Sequence, residues 1–439
     1  MYHTRQHMIK KLDNGLRVIT ESLPNYNSVA VGIWVKTGST CEEPKENGIS
    51  HFIEHMMFKG TQKRSAKQIA VDMDKIGGQL NAFTSKECTC YHARVVPEKL
   101  EVAVDVLSDL FCNPMIDEQE LEKEKGVVLE EIAMVNDNVE ELAHEKISEI
   151  YFEGSTLSQP ILGPAENISA FKRSDLVGYI DDHYYPANVV VAVAGKFDEA
   201  RLDDVLNQYI GSYSRGKRKE VSDCASPFAP KPSTLYVEKD VEQTHLCLAF
   251  PGCTFADDDR FALAVLNNIL GGGMSSRLFQ TIREEKGLAY SVYSYPSSYS
   301  YAGMYTLYAG TTAANADTVV QLMKQELDRL KTEHISEADF KQGIDQLKGN
   351  YVLSMEGVNS KMSAIGKSLI LLDEVYDEDK TIAKIDAVSI DRVNAMIDEI
   401  FDYKNMSAVF AGKIEKKNEL ESFLEGLNGQ AGEHIRVSE

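Results

Sequence analysis

Residues 170–197, AFKRSDLVGYIDDHYYPANVVVAVAGKF, return at 387–414 as AVSIDRVNAMIDEIFDYKNMSAVFAGKI, at a constant offset of 217 residues and without a gap. Ala170 matches Ala387, Leu176 matches Val393, Ile180 matches Ile397, and Tyr184 matches Phe401. Ala194-Gly195-Lys196 matches Ala411-Gly412-Lys413. In both copies an amphipathic helical pattern leads into an apolar strand, NVVVAVAG or MSAVFAG. The period is far too long for a solenoid, so the repeat describes two homologous domains in tandem. A chain of 439 residues divides naturally into two domains of about 200 residues each.

The stretch SRGKRKEVSDCASPFAPKPST (214–234) is basic, aperiodic and contains Pro and Ser, the character of an exposed linker. The expected organisation is an N-terminal domain over 1–215, a linker over 216–233, a second domain over 234–425 and a disordered tail over 426–439. Within the first domain, LRVITE after the turn DNG and the run SVAVGIWVKTG read as strands. Helical periodicity covers about 47–58, 66–76, 97–111 and 117–135. Between the second and third of these, LNAFTSKECTCYHARVV reads as a β-hairpin. Hairpin-type strands with interspersed helices predict an α+β fold, each domain a mostly antiparallel sheet packed with helices.

Composition removes several function classes. A net charge of −22 opposes nucleic-acid binding, which needs a basic footprint, and favours basic ligands. No apolar run approaches the roughly 18 residues of a membrane span, and the N-terminus lacks the apolar core of a secretory signal. A cytoplasmic location is expected. Seven scattered cysteines, with no C-x-x-C pair, predict buried free thiols rather than a disulfide framework or a cysteine-bound metal.

One segment points to chemistry. In ENGISHFIEHMMFKG, His51 and His55 stand four apart, and on a helix such residues share a face. Two imidazoles so placed can hold one metal ion. Glu54 borders the same face and can contact a metal-activated water without ligating the metal. The pattern H-x-x-E-H is the inverted form of the zinc helix H-E-x-x-H. A catalytic zinc needs a third protein ligand. The helical run EQELEKEKGVVLEEIAMV supplies candidates. Glu124 and Glu131 lie two turns apart on one face, with Leu129 and Ile132 marking a buried side. A carboxylate on a buried side needs a partner. Spacing alone leaves Glu130 and Glu131 both open. The other eight histidines, His144 among them, read as surface or packing residues.

The chain resembles the pitrilysin/insulinase family of zinc peptidases, and within it the short branch that includes the mitochondrial processing peptidase and its bacterial homologues. LDNGLRVITE, GSTCEEPKENGISHFIEHMMFKGT, GGQLNAFTSKECTCYHARV, EKGVVLEEIAMVND and GGGMSSRLFQTIREEKGLAYSV carry the likeness. It implies one zinc per chain, held by His51, His55 and Glu131, the last lying 76 residues beyond the second histidine. It implies Glu54 as general base and Glu124 as a carboxylate behind a ligand; the plain alternative for Glu124 is a surface salt bridge. Arg283 and Tyr290 match a pair that binds substrate backbone and the reacting carbonyl. LNAFTS matches an edge strand that pairs with an extended peptide through Asn81 and Ala82. Phe83 lines a pocket beside the scissile bond or packs in the core.

At the repeat offset, His51, Glu54 and His55 fall on Asn268, Gly271 and Gly272, so the second domain has no zinc motif. The likeness further implies a peptide substrate enclosed in a chamber. It implies a homodimer in which Arg283 and Tyr290 complete the partner's site. Two other readings fit the family: a catalytically silent scaffold, and a subunit that needs a degenerate paralogue.

Overall fold

The computed structural model describes residues 7–216, 224–226, 228–428 and 433–436. In chain order the first half contributes β1 (His7–Lys11), β2 (Arg17–Ser22), β3 (Val29–Val35), α1 (Ile49–Met57), α2 (Ala66–Asp74), β4 (Gln79–Thr84), β5 (Thr89–Val95), α3 (Leu100–Cys112), α4 (Glu118–Asp137), α5 (Val139–Tyr151), α6 (Ala165–Ala170), α7 (Arg173–His183), β6 (Val189–Gly195) and α8 (Glu199–Tyr209). The second half contributes β7 (Thr234–Glu238), β8 (Gln243–Pro251), α9 (Asp259–Leu270), β9 (Ala289–Ser298), β10 (Gly303–Thr312), α10 (Ala316–Glu333), α11 (Glu337–Ser354), α12 (Val358–Leu372), α13 (Glu378–Asp386), α14 (Ile390–Ile400), β11 (Ser407–Gly412), α15 (Lys417–Asn428) and β12 (Glu433–Arg436).

The α+β expectation holds. The described residues form two six-stranded sheets, ordered β1-β2-β6-β3-β5-β4 and β12-β7-β11-β8-β10-β9. Position for position the two orders are the same element of the repeat, except at one edge. There β1 joins the first sheet antiparallel to β2, whereas β12 joins the second parallel to β7. The tail expected to be disordered therefore supplies a strand at 433–436; an otherwise open sheet edge offers unpaired backbone groups that it satisfies. Most remaining pairs are antiparallel, the β2–β6 and β7–β11 pairs being parallel. The apolar strand β6 is buried along its whole length, as a central strand covered on both faces must be.

The chain forms two compact units, and they are not two contiguous segments. One comprises Met1–Ile132, Gln159–Ala225 and Val352–Tyr376; the other comprises Ala133–Ser158, Ser226–Tyr351 and Asp377–Glu439. The expected contiguous domains thus exchange a helix each. In the first unit, Val358, Met362, Ile365 and Leu369 of α12 pack on Ile19, Trp34 and Val190 of the sheet. In the second, Leu142, Ala143 and Ile147 of α5 pack on Val237, Cys247 and Val409. Burial of each such aliphatic side chain is worth about 1.5–3 kcal/mol, which outweighs the longer connection. The opposite face of each sheet holds the larger core. In the first unit that core takes Ile49, Phe52, Ile53, Met56 and Met57 of α1.

The cysteine expectation needs correction. Cys41 and Cys224 form a disulfide, with Cα atoms 4.9 Å apart and a sequence separation of 183. A pair so distant leaves no spacing pattern to read. The other five cysteines are free thiols, and Cys88, Cys90 and Cys247 are buried.

Candidate metal centre

In α1, apolar residues at 49, 52, 53, 56 and 57 follow the helical period, and all five are fully buried. That stripe fixes the helix rotation. The adjoining stripe carries His51, Glu54 and His55, with His51 buried and the other two half-buried. The helix α4 is more polar, but Leu121, Glu124 and Val128 form its buried stripe. Glu131 extends this stripe by one turn, whereas Glu130 and Val127 are directed away from it. Of the two candidates that spacing left open, Glu131 is the one on this stripe.

Ligand atoms of His51, His55 and Glu131 lie within 4.8 Å of one another. Glu131 Oε2 stands 3.6 Å from His51 Nε2 and 3.5 Å from His55 Nε2. Such spans are long for hydrogen bonds. Two donors each about 2.1 Å from a tetrahedral ion are about 3.4 Å apart, so the donor set fits zinc. The back of His55 agrees. Its Nδ1 lies 2.9 Å from Glu124 Oε1, and in the tautomer that donates here, Nε2 keeps its lone pair for a metal. Lys59 Nζ, 2.5 Å from Glu124 Oε2, balances the charge of that buried carboxylate. The salt-bridge alternative for Glu124 is met in part: it has a lysine partner, but it is buried and also hydrogen-bonds the His55 ring. By contrast, His51 Nδ1 is buried without a hydrogen-bond partner among the described residues.

Electrostatics favour the same state. Burial, reinforced by the neighbouring His55, holds the His51 imidazole down to about 4, so it is neutral and able to ligate. Burial pushes the Glu54 carboxyl up, and the nearby Glu131 carboxylate adds to this; Thr84 and His55 pull the other way. Thr84 Oγ1 donates to Glu54 Oε2 at 2.5 Å.

That bond ties the site to β4, the edge strand of the first sheet. Leu80 and Ala82 face the core of α1, and Thr84 follows them on the same side. Asn81 and Phe83 alternate to the other face. There the Phe83 ring meets Trp34 edge-on at 5.6 Å and lies 6.2 Å from His92, while remaining 37% exposed. Of the two readings of Phe83, packing holds in part: the ring meets an aromatic neighbour yet still presents surface, on the face away from Glu54. Asn81 Oδ1 accepts from the Ala82 backbone N–H.

Arg283 and Tyr290 belong to the second unit and meet each other there. The guanidinium sits 5.2 Å from the centre of the Tyr290 ring and 4.6 Å from that of Phe279. Tyr290 is 78% exposed. Arg283 stands on a π-helical segment, Phe279–Glu285, a form often retained at functional sites. Sequence reasoning missed Thr84 and Lys59. Their only signals were strand alternation placing Thr84 on the side of Ala82, and a lysine one turn beyond His55.

Comparison with known proteins gives a consistent result. Residues 17–165 match the family model described as "Insulinase (Peptidase family M16)", and residues 170–347 match "Peptidase M16 inactive domain". The chain is 44% identical over 399 residues to a Bacillus subtilis protein named "Uncharacterized zinc protease YmxG", covering 90% of this chain and 96% of the relative. It is 37% identical to an uncharacterised zinc protease of Streptomyces coelicolor, covering 89% of this chain and 86% of the relative. A protease from Helicobacter pylori has a crystal structure that superposes with a TM-score of 0.86 at 21% identity, over 94% of this chain and all of the other. That likeness speaks to fold alone.

Proposed function

The chain belongs to the insulinase family (peptidase M16) of zinc peptidases, and we propose that it is an endopeptidase acting on peptides or unfolded polypeptide segments. The observation that carries this reading is the coupling of three parts on one sheet edge. A three-ligand cluster, a carboxylate beside it and an open edge strand are joined through Thr84 and Glu54.

His51, His55 and Glu131 would hold the zinc, one per chain. Bound zinc supplies Lewis-acid polarisation of the scissile carbonyl and activation of water. Glu54 takes the proton from the attacking water and delivers it to the leaving amine. Its buried setting raises its proton affinity, which helps it keep that proton between the two transfers. Glu124 fixes the orientation of His55, and Lys59 supplies the counter-charge to Glu124.

The substrate pairs with β4 as an added strand, with Asn81 and Ala82 at its centre. Backbone pairing makes few sequence demands but requires an unfolded segment. Phe83 contacts substrate side chains that point to its face. Arg283 and Tyr290 hold substrate backbone and the reacting carbonyl of a partner subunit's site, in a homodimer that encloses a chamber. The acidic net charge favours basic peptides, and no nucleic acid or membrane takes part; none of the described helices is long and apolar enough to cross a membrane. The enzyme works in the cytoplasm.

The test is cleavage of a panel of unfolded basic peptides by the wild type and by Glu54→Gln, with zinc measured on both. The expected result is zinc on both proteins and a loss of roughly 10²–10⁴-fold in rate for the variant. If both hold zinc and neither cuts, the self-sufficient reading fails, and a subunit awaiting a paralogue replaces it. Absence of zinc from both leaves a scaffold. Action in trans has its own test. Arg283→Ala and Glu54→Gln, each inactive alone, should regain activity when mixed; a mixture that stays inactive removes the trans arrangement.

A further inference from the structure

The N-terminus of α1 poses a local problem. The first turn of a helix leaves backbone N–H groups without intrahelical acceptors, and an N-cap side chain normally supplies one. Here the N-cap is Gly48, with φ of 98° and no side chain to offer. Nor could Ser or Asp replace it. A Cβ at Gly48 would meet Leu162 O at 2.5 Å and the Gly163 Cα at 3.0 Å. The metal-bearing helix is seated too closely on the 162–163 backbone to carry its own cap.

The missing acceptor comes from the preceding loop. Glu42 is buried, 3% exposed, and its carboxylate points at the helix start. Its Oε2 accepts from the Gly48 N–H and from Asn47 Nδ2, each at 2.8 Å, and its Oε1 accepts from the Ser50 N–H at 2.9 Å. Asn47 is itself buried and also donates to Pro160 O at 2.8 Å. The Glu42 backbone carbonyl accepts from Gln159 Nε2 at 3.1 Å. The carboxylate also lies at the positive end of the helix dipole. Charge-assisted bonds of this kind are the strong ones, and they offset part of the cost of burying the charge, which still raises the Glu42 pKa.

The residue after Ser50 is His51. Of the two proposed histidine ligands, it is the one whose second ring nitrogen has no partner among the described residues. His55 is held from behind by Glu124, in the last turn of the helix. His51 depends instead on the backbone of the first turn. We propose that Glu42 is a positioning residue of the metal centre: by capping α1 it fixes His51, and through the same helix Glu54. The inference rests on the zinc-peptidase reading.

The experiment measures zinc dissociation constants by chelator competition on the wild type, Glu42→Gln and Glu42→Ala. Denaturant unfolding of the metal-free proteins is measured alongside. Glutamine keeps the shape and one acceptor oxygen, but turns an amide N–H toward a donor. The expected order is a weakening of zinc binding of about 10-fold for Glu42→Gln and about 100-fold for Glu42→Ala, the range typical of groups that orient ligands. At saturating zinc, kcat should fall while KM stays within about twofold, because β4 is untouched. Should Glu42→Ala fail to fold, Glu42→Gln alone decides. Variants that unfold more easily yet bind zinc as tightly as the wild type would overturn the inference, leaving Glu42 a stabilising residue only. A wild type that binds no zinc at all would instead sink the peptidase reading, and this inference with it.

Discussion

The same stretch of the repeat does opposite things in the two units. In the first, α1 runs unbroken from Ile49 to Met57 and presents His51, Glu54 and His55. In the second, α9 ends at Leu270, and the equivalent positions are Asn268, Gly271 and Gly272. The carboxylates are inverted as well. Glu124 and Glu131 become Lys341 and Lys348, and Lys348 Nζ pairs with Asp386 at 2.7 Å. A Cβ at Gly271 would stand 2.4 Å from Ser294 Oγ and 2.5 Å from the Ser294 nitrogen. The second copy therefore lacks the ligand set proposed for the first, in charge and in space together. One fold supports a metal centre in one unit and excludes it in the other, so the centre is a property of a few side chains and not of the architecture.

The strongest way to break this comparison is to import the second unit's charge into the first. Glu131→Lys places an ammonium where the third ligand stands. Zinc should fall from one equivalent per chain to none, and peptide cleavage to background. The reciprocal Lys348→Glu should gain no zinc, because the histidine equivalents are absent. Elemental analysis of both purified variants decides. Zinc retained by Glu131→Lys would mean that Glu131 is not a ligand.

A second substitution sharpens the steric half of the contrast. Gly271→Ala should cost about 1–3 kcal/mol of stability, since its methyl group overlaps the backbone of β9. Zinc content should remain that of the wild type. Denaturant unfolding checks the first expectation and elemental analysis the second. Unfolding that matches the wild type would show the close approach to be soft, and loss of ligands alone would then explain why the second copy is empty of metal-binding chemistry.

How much of this was legible beforehand follows from which distances matter. The metal helix was readable because its apolar positions and its histidines obey one local period. The pairing of hairpin strands β4 and β5 was readable because a short turn joins them. Spacing narrowed the third carboxylate to two adjacent residues and the family likeness pointed to Glu131; the burial of Leu121, Glu124 and Val128 puts Glu131 on the buried stripe of α4. The exchange of α5 and α12 left no local trace, because each helix has the same amphipathic pattern whichever sheet it covers. The Cys41–Cys224 link, the Glu42 cap and the Thr84 contact to Glu54 join segments whose sequence separation carries no signal.

The exchanged helices allow a finer comparison, with a smaller effect. His144 of α5 and Lys361 of α12 are equivalent in the repeat; Lys361 is buried and His144 half-buried against its sheet. Lys361 lies beside Glu21, with Nζ 3.9 Å from its Oε1. His144 was expected to be a plain packing or surface residue, yet it meets hydroxyls: Tyr295 at 2.7 Å and Tyr293 at 2.9 Å. The Tyr293 hydroxyl in turn donates to Glu140. Burial lowers the His144 pKa from its ordinary 6.5, with Glu140 opposing and His245 adding to the shift. Between 6.5 and the lowered value, the unfolded chain binds a proton that the folded chain refuses. The stability His144 contributes is therefore complete above its ordinary pKa and is lost as pH falls through the depressed one. Metal-free wild type should lose about 2 °C more in Tm than His144→Phe when pH drops from about 7.5 to about 5.5. His245, whose pKa burial also lowers, is present in both proteins, so its contribution is common to the two arms. Parallel losses would mean that the histidine is an inert packing group, equivalent to its lysine counterpart in position only. A larger loss in the wild type would show that the two bases anchor their helices by different means. The lysine holds its helix through charge, and the histidine holds its own only while neutral.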